Sequence, residues 1–166
     1  RRSGCGARRL ASYSWPKMGV VMIHDSIWIS PHFQSKEFSC NCGCGENEIH
    51  QGVIHVLEEV RKVVGVPLRI SSGVRCPSHN KNVGGAPKSF HQPQENGRGY
   101  AADFTFSAAS LRTPINILRL YTLASEEVGD EGGVILYQTW IHIDFRGALG
   151  KPRYRATSKF NWPRLA

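Results

Sequence analysis

Apolar residues recur every three or four positions in two segments of the chain, and this spacing predicts two amphipathic helices. The first helix is expected near residues 48–65, where Gly65 and Pro67 supply its end. The second is expected near 110–129, with Pro114 in its first turn. A short helix is also compatible with the polar stretch after Pro77.

Shorter apolar runs, some of them alternating with polar residues, predict four strands. They lie at 67–74, 101–106, 132–137 and 139–147, with a tight turn near Gln138 between the last two. The resulting order of elements favours an α+β fold, with helices packed on one face of a small antiparallel sheet. The chain has 166 residues, the size of one domain. We expect that domain at 26–150, between a basic N-terminal tail or leader at 1–25 and a basic C-terminal tail at 151–166.

The formal net charge of +8 is concentrated in the two tails. Such ends are either simply solvated or attracted to an anionic surface such as a bacterial wall. Specific nucleic-acid binding is not expected, because no helix-turn-helix, RNA-recognition or zinc-finger pattern occurs. A transmembrane segment is not expected either, since no run approaches the roughly 20 apolar residues that span a bilayer.

Five cysteines are present, and three of them are spaced by two residues in the segment CNCGCG. Cys40, Cys42 and Cys44 form this group, while Cys5 and Cys76 lie apart. Structural zinc sites usually use C-x2-C pairs, so the spacing is a poor match to a zinc knuckle. The sequence leaves open a packing role, one disulfide to Cys76, a metal site or redox chemistry.

The segment WIHIDFR, which is predicted to be a strand, contains candidate metal-binding residues. On a strand, His142 and Asp144 share one face and the neighbouring apolar residues share the other. Asp103 lies in another predicted strand, and His91 lies in the polar loop before it. Two imidazoles and one carboxylate are a ligand set suited to catalytic zinc, although each residue alone is as compatible with an ordinary surface position.

Four short blocks occur in a fixed order along the chain. They are S-G-V-R at 72–75, S-F-H at 89–91, G-Y-A-A-D at 99–103 and H-I-D at 142–144. This pattern resembles the zinc D-Ala-D-Ala carboxypeptidase family, in its H-x-D subgroup, whose fold is shared with hedgehog signalling domains. The resemblance covers roughly residues 30 to 147.

The resemblance implies a Zn²⁺ ion on His91, Asp103 and His142, and hydrolysis of peptide bonds in peptidoglycan stem peptides. It also implies that Arg75 pairs with the substrate carboxylate, for which a guanidinium fork is well suited. Ser89 matches a position beside the metal that hydrogen-bonds the substrate or the loop backbone.

The chain departs from the family pattern in two ways. The step from His91 to Asp103 is longer than usual, because extra residues lie within 92–98, QPQENGR. The usual positions of the general base are occupied by Thr139 and Trp140, which cannot take a proton.

Asp144 is the nearest substitute for the general base. It either takes the proton of the attacking water or forms a hydrogen bond that orients a metal ligand or the water. A reversed assignment would make Asp144 the ligand and His142 the base, which zinc's use of imidazole disfavours. Glu95, in the insertion, is a remote further candidate for the base.

The sequence therefore predicts a monomeric zinc peptidase that acts outside the cytoplasm or is phage-encoded and acts on a host wall. Whether it is a carboxypeptidase or an endopeptidase (an endolysin, for example) stays open. One alternative is a non-catalytic zinc-containing module of the same fold that binds the wall or a partner. A basic nucleic-acid-binding protein that uses the cysteine cluster is another.

Overall fold

The computed structural model describes residues 27–157. The predicted N-terminal tail and most of the predicted C-terminal tail lie outside these residues. The helices are α1 (Gln51–Val64), α2 (Pro77–Asn82) and α3 (Pro114–Val128), and the strands are β1 (Leu68–Ser72), β2 (Ala101–Phe106), β3 (Gly133–Leu136), β4 (Ile141–Asp144) and β5 (Tyr154–Thr157). This α+β architecture confirms the predicted fold class, including the short helix after Pro77.

The five strands form one sheet in the order β1-β2-β4-β3-β5. The first three pairings along this order are antiparallel, as predicted. The sheet is nevertheless mixed, because β5 pairs with β3 in parallel. Four residues of the segment predicted as a tail therefore belong to the sheet.

The two long helices have sequence-encoded ends. The N–H of Gly52 donates to His50 Nδ1 at the start of α1, and Gly65 ends that helix with a left-handed φ of 70°. At the start of α3, Thr113 caps the helix and Pro114 occupies the first turn. The longest helix in the described part, α3, has 15 residues, and no helix there is long and apolar enough to cross a bilayer.

The core lies between these helices and one face of the sheet. Leu57 of α1, Leu120 of α3 and Phe104 of β2 are each fully buried in it. Burying a side chain of this size contributes about 1.5–3 kcal/mol to stability. The free energy of folding therefore strongly favours packing the apolar face of the sheet against the helices. Because side chains alternate along a strand, Asp103 and His142 emerge on the face opposite the core.

Candidate metal centre

Asp103 and His142 are brought together by the pairing of two central strands. β2 and β4 run antiparallel in a register that sets Asp103 directly opposite His142. Asp103 Oδ1 lies 2.8 Å from His142 Nδ1. The sheet register, which is fixed by burial of the apolar face, therefore positions two of the predicted ligands.

His91 reaches the same point from the loop between α2 and β2. Two backbone hydrogen bonds hold this loop to the domain: Arg75 N–H donates to His91 O at 2.9 Å, and Tyr100 N–H donates to Phe90 O at 2.7 Å. A Cβ at Gly99 would lie 3.0 Å from His91 O, so glycine allows the loop to pass closely there. His91 is only 2% exposed.

The three donor atoms form a compact triangle. His91 Nε2 lies 3.2 Å from Asp103 Oδ1 and 3.2 Å from His142 Nδ1, and the third side is the 2.8 Å contact. Zinc–nitrogen and zinc–oxygen bonds near 2.0–2.1 Å give a tetrahedron with edges of about 3.3 Å. The triangle is thus close in size to one face of such a tetrahedron, and these residues could hold a metal ion.

The other nitrogen of each imidazole is held by an acceptor. His91 Nδ1–H donates to the carbonyl of Gly73 at 2.7 Å, and His142 Nε2–H donates to Asp144 Oδ2 at 3.2 Å. A cation bound among the three donor atoms would take the lone pairs of His91 Nε2 and His142 Nδ1, and these two contacts would hold the opposite ring nitrogens as donors.

The electrostatics of the group also favour a cation. Burial lowers the pKa of His142, but hydrogen bonds with Asp103 and Asp144 outweigh burial and raise the pKa to about 9. Burial raises the pKa of the Asp103 carboxyl, yet His91 and His142 hold it well below its usual range. For His91, burial prevails and lowers the pKa. At neutral pH this imidazole is therefore uncharged and can act as a metal ligand.

Asp144 is fully buried and lies on the far side of His142 from the donor triangle. Arg146 donates to it through three nitrogens: Nε to Oδ1 at 2.8 Å, Nη2 to Oδ2 at 2.7 Å and the backbone N–H to Oδ1 at 3.1 Å. The N–H of Gly133 adds a bond to Oδ1 at 3.2 Å. A Cβ at Gly133 would lie 2.6 Å from Asp144 Oδ2, so glycine makes room for the ion pair.

Arg75 is also engaged within the protein. Its Nη2 donates to Asp103 Oδ2 at 2.7 Å, and its Nε donates to Ser72 Oγ at 2.8 Å. Asp103 therefore offers one oxygen to the centre and the other to a guanidinium. This contact orients the carboxylate, a role for Arg75 that the sequence did not suggest.

The comparisons with known proteins agree with this arrangement. A family model described as Peptidase M15 matches residues 31–144, which is more than half of the chain and includes all three residues of the donor triangle. The chain belongs to the peptidase M15 family. No curated protein and no solved structure gives a significant match. Because M15 peptidases are zinc D-Ala-D-Ala carboxypeptidase-like enzymes, the match confirms the resemblance read from the four sequence blocks.

In this M15 peptidase, the centre lines an open cavity of about 380 Å³. Ser89 lies on its wall and uses its Oγ to accept the N–H of His91 at 3.3 Å. Sequence reasoning missed Lys88, Tyr137 and Arg146 in this lining, and it named Trp140 only as a residue that replaces the usual general base. Tyr137 and Trp140 stack with ring centroids 3.7 Å apart, and only their aromatic character next to the H-x-D block could have signalled them.

The inserted loop borders the cavity without filling it. Residues 92–96 line a neighbouring cavity of about 700 Å³, which shares Lys88, Ser89 and Phe90 with the first. Glu95 lies in this second cavity. Among the residues lining the metal-centre cavity, Asp103 is the only acidic one.

Proposed function

We propose that the protein is a zinc-dependent hydrolase of peptide bonds in peptidoglycan stem peptides, acting outside the cytoplasm. The observation that carries the proposal is the triangle of His91, Asp103 and His142 at the wall of an open cavity, in a chain of the M15 family. A closed structural site would need a fourth protein ligand. Three ligands beside a cavity leave room for water and substrate.

His91 Nε2, Asp103 Oδ1 and His142 Nδ1 would hold the ion. Zinc in such a set supplies Lewis-acid chemistry, since it lowers the pKa of water and polarises a carbonyl. Gly73 O and Asp144 Oδ2 keep the two imidazoles in the required tautomers.

The lining of the cavity favours an anionic substrate end. Arg75, Lys88 and Arg146 all contribute to its wall, and the stem peptide ends in a carboxylate. Arg75 would anchor that carboxylate and so fix which bond lies over the centre. Its contact with Asp103 links substrate recognition to the orientation of a ligand.

The predicted role of Asp144 as general base has less support than its role in positioning. Both of its oxygens already accept hydrogen bonds, and His142 separates it from the donor triangle. We propose that Asp144 orients His142. The reversed assignment, with Asp144 as ligand and His142 as base, is disfavoured for the same reason.

The absence of a second acidic side chain from the cavity wall supports one other candidate, a non-catalytic zinc module. Both candidates predict zinc on the protein, but only the peptidase predicts turnover. Purified peptidoglycan incubated with the protein and analysed by mass spectrometry should yield new stem-peptide fragments, and a chelator should prevent them. Loss of a terminal D-Ala would identify a carboxypeptidase, and opened cross-links an endopeptidase. Bound zinc with intact peptidoglycan would contradict the peptidase and favour the module.

A further inference from the structure

Four cysteine thiols converge at a second place in the fold. Cys40, Cys42 and Cys44 lie on the loop before α1, and Cys76 immediately precedes α2. Their four sulfur atoms all lie within 4.8 Å of one another. The Cys42 sulfur is 3.3 Å from that of Cys40 and 3.6 Å from that of Cys76. A zinc–sulfur bond near 2.3 Å gives a tetrahedron with edges of about 3.8 Å, so the cluster has the right size.

The backbone of this cysteine loop is folded to make the convergence possible. Gly43 and Gly45 have φ values of 77° and 90°, in the left-handed region that favours glycine. The N–H of Cys40 donates to Glu46 O at 2.7 Å and closes the loop. The CNCGCG segment therefore consists of turns and is not an extended strand. Turns at its two glycines bring Cys40, Cys42 and Cys44 to one point.

Backbone donors face the sulfur atoms. The N–H of Cys76 points to the sulfur of Cys40 at 3.4 Å, and the N–H of His79 points to the sulfur of Cys76 at 3.4 Å. Such donors favour thiolates, which are the form of cysteine that binds metals.

A packing role or a disulfide explains less of this arrangement. Cys42 and Cys44 are exposed, so they are not core residues. All four described cysteines are free, and the Cys42 sulfur lies 3.3 Å from that of Cys40 and 3.6 Å from that of Cys76, well beyond the S–S bond length of about 2.05 Å. A single disulfide would also leave two of the four convergent thiols without a reason for being there.

We propose that Cys40, Cys42, Cys44 and Cys76 bind a structural zinc ion, distinct from the centre at His91, Asp103 and His142. Four thiolates fill a tetrahedral zinc completely, which is the arrangement of a structural rather than a catalytic site. The C-x-C-x-C spacing departs from a zinc knuckle, but the two glycine turns replace the geometry that C-x2-C normally provides. The inference does not depend on peptidase activity.

Cys76 lies next to the residues that orient Asp103 and His91, so the cysteine site would affect the M15 centre. Cys76 directly follows Arg75, which holds Asp103. Val74, two residues before Cys76, donates its N–H to Phe38 O at 2.8 Å. The carbonyl of Gly73, just before it, accepts the hydrogen bond from His91. The ion would thus tie the cysteine loop to the segment that orients two ligands of the M15 centre.

Cobalt substitution of the full-length protein tests the proposal. Tetrahedral thiolate sites give intense sulfur-to-cobalt charge-transfer absorption in the near ultraviolet, whereas a site of two imidazoles and a carboxylate does not. We expect this absorption in the wild-type protein and in His91→Ala. It should fall by at least about half in Cys42→Ser/Cys44→Ser, which removes half of the thiolates. Both residues are exposed, so the change leaves the core intact. Cys5→Ser, at the cysteine outside the described residues, is the matched control and should not change it.

Thiol labelling of the unsubstituted protein provides a second readout that needs no variant. Cys40, Cys42, Cys44 and Cys76 should resist alkylation in the zinc-loaded protein and react after a chelator is added. The proposal is overturned by wild-type protein without the charge-transfer absorption, by equal absorption in the double variant, by a disulfide among these residues, or by iron in place of zinc. Loss of the absorption in His91→Ala would also overturn it.

Discussion

Asp103 and His142 face each other across the antiparallel pair β2–β4, with Asp103 Oδ1 2.8 Å from His142 Nδ1. This pairing forms the fixed part of the centre, since both residues lie on strands of the sheet. His91 approaches from a loop and depends on the carbonyl of Gly73 for its orientation. The centre therefore combines two candidate ligands placed by sheet register with one placed by loop packing.

Removal of an imidazole ligand should abolish zinc binding at this centre. For His142→Ala and His91→Ala we expect a loss of activity greater than the roughly 10–100-fold typical of changes behind the ligands. Metal analysis and peptidoglycan cleavage would measure both effects. His79→Ala is a matched control, because His79 lies on α2 and its contact with the sulfur of Cys76 is made by its backbone N–H, which alanine keeps. Full activity in His142→Ala would contradict the assignment.

Asp144→Asn separates a positioning role from a base role. If Asp144 orients His142, zinc affinity should fall by about 10–100-fold, and activity should recover in part when zinc is supplied in excess. If Asp144 were the base, kcat would fall while zinc affinity stayed unchanged. A zinc titration alongside steady-state kinetics distinguishes the two outcomes. Thermal unfolding should also shift downward, since the charge of Arg146 loses its buried partner.

Arg75→Lys tests recognition of the substrate carboxylate. Lysine keeps a positive charge near Asp103 but loses the planar fork. A charge-assisted hydrogen bond contributes about 1.5–3 kcal/mol, so kcat/KM for peptides with a free C-terminus should fall by about tenfold or more. Peptides with an amidated C-terminus lack that carboxylate, so their cleavage should fall by less, through the contact of Arg75 with Asp103 alone. An equal loss on both kinds of peptide would show that Arg75 acts through Asp103 alone.

Stability should depend on Glu58 in a defined pH window. Burial raises the pKa of this carboxyl, but the hydrogen bonds it accepts, including two from His32 at 2.9 and 2.6 Å, bring it below its usual 4.5. A carboxyl whose pKa is depressed in the folded state stabilises the fold above about pH 4.5. This stabilisation is lost as the pH falls further.

Denaturant unfolding of Glu58→Gln checks this window. The variant should be less stable than the wild type by about 1–2 kcal/mol at neutral pH, and the difference should shrink below about pH 4. A pH-independent difference would assign the effect to packing. Glu59→Gln, on the same helix in a more exposed pair with Lys62, is the control and should show a smaller change.

The sequence predicted those parts of the structure that depend on local periodicity. Both long helices end before Gly65 and Gly129 as expected, although they begin at Gln51 and Pro114, later than the predicted starts near 48 and 110. Alternation correctly placed His142 and Asp144 on one face of a strand. The motif order selected all three residues of the donor triangle.

Features that depend on contacts between distant segments could not be read from the sequence. β5 was missed because Arg153 and Arg155 make its segment look like a solvated tail, and only pairing with β3 makes it a strand. The roles of Arg146 and Gly133 also depend on neighbours across the sheet. The cysteine cluster was left open because its geometry depends on two backbone turns and on Cys76 from a distant segment.

The parallel strand β5 limits how far the domain can be truncated at its C-terminal end. The family match ends at residue 144, yet Tyr154 lies against the guanidinium of Arg146 at 4.6 Å, and Arg155 donates to carbonyls at the end of α3. A fragment that stopped soon after the H-x-D block would uncover the unpaired edge of β3. Exposed strand edges template association with other chains. Such a fragment would contain all three residues of the donor triangle and would still be prone to aggregate.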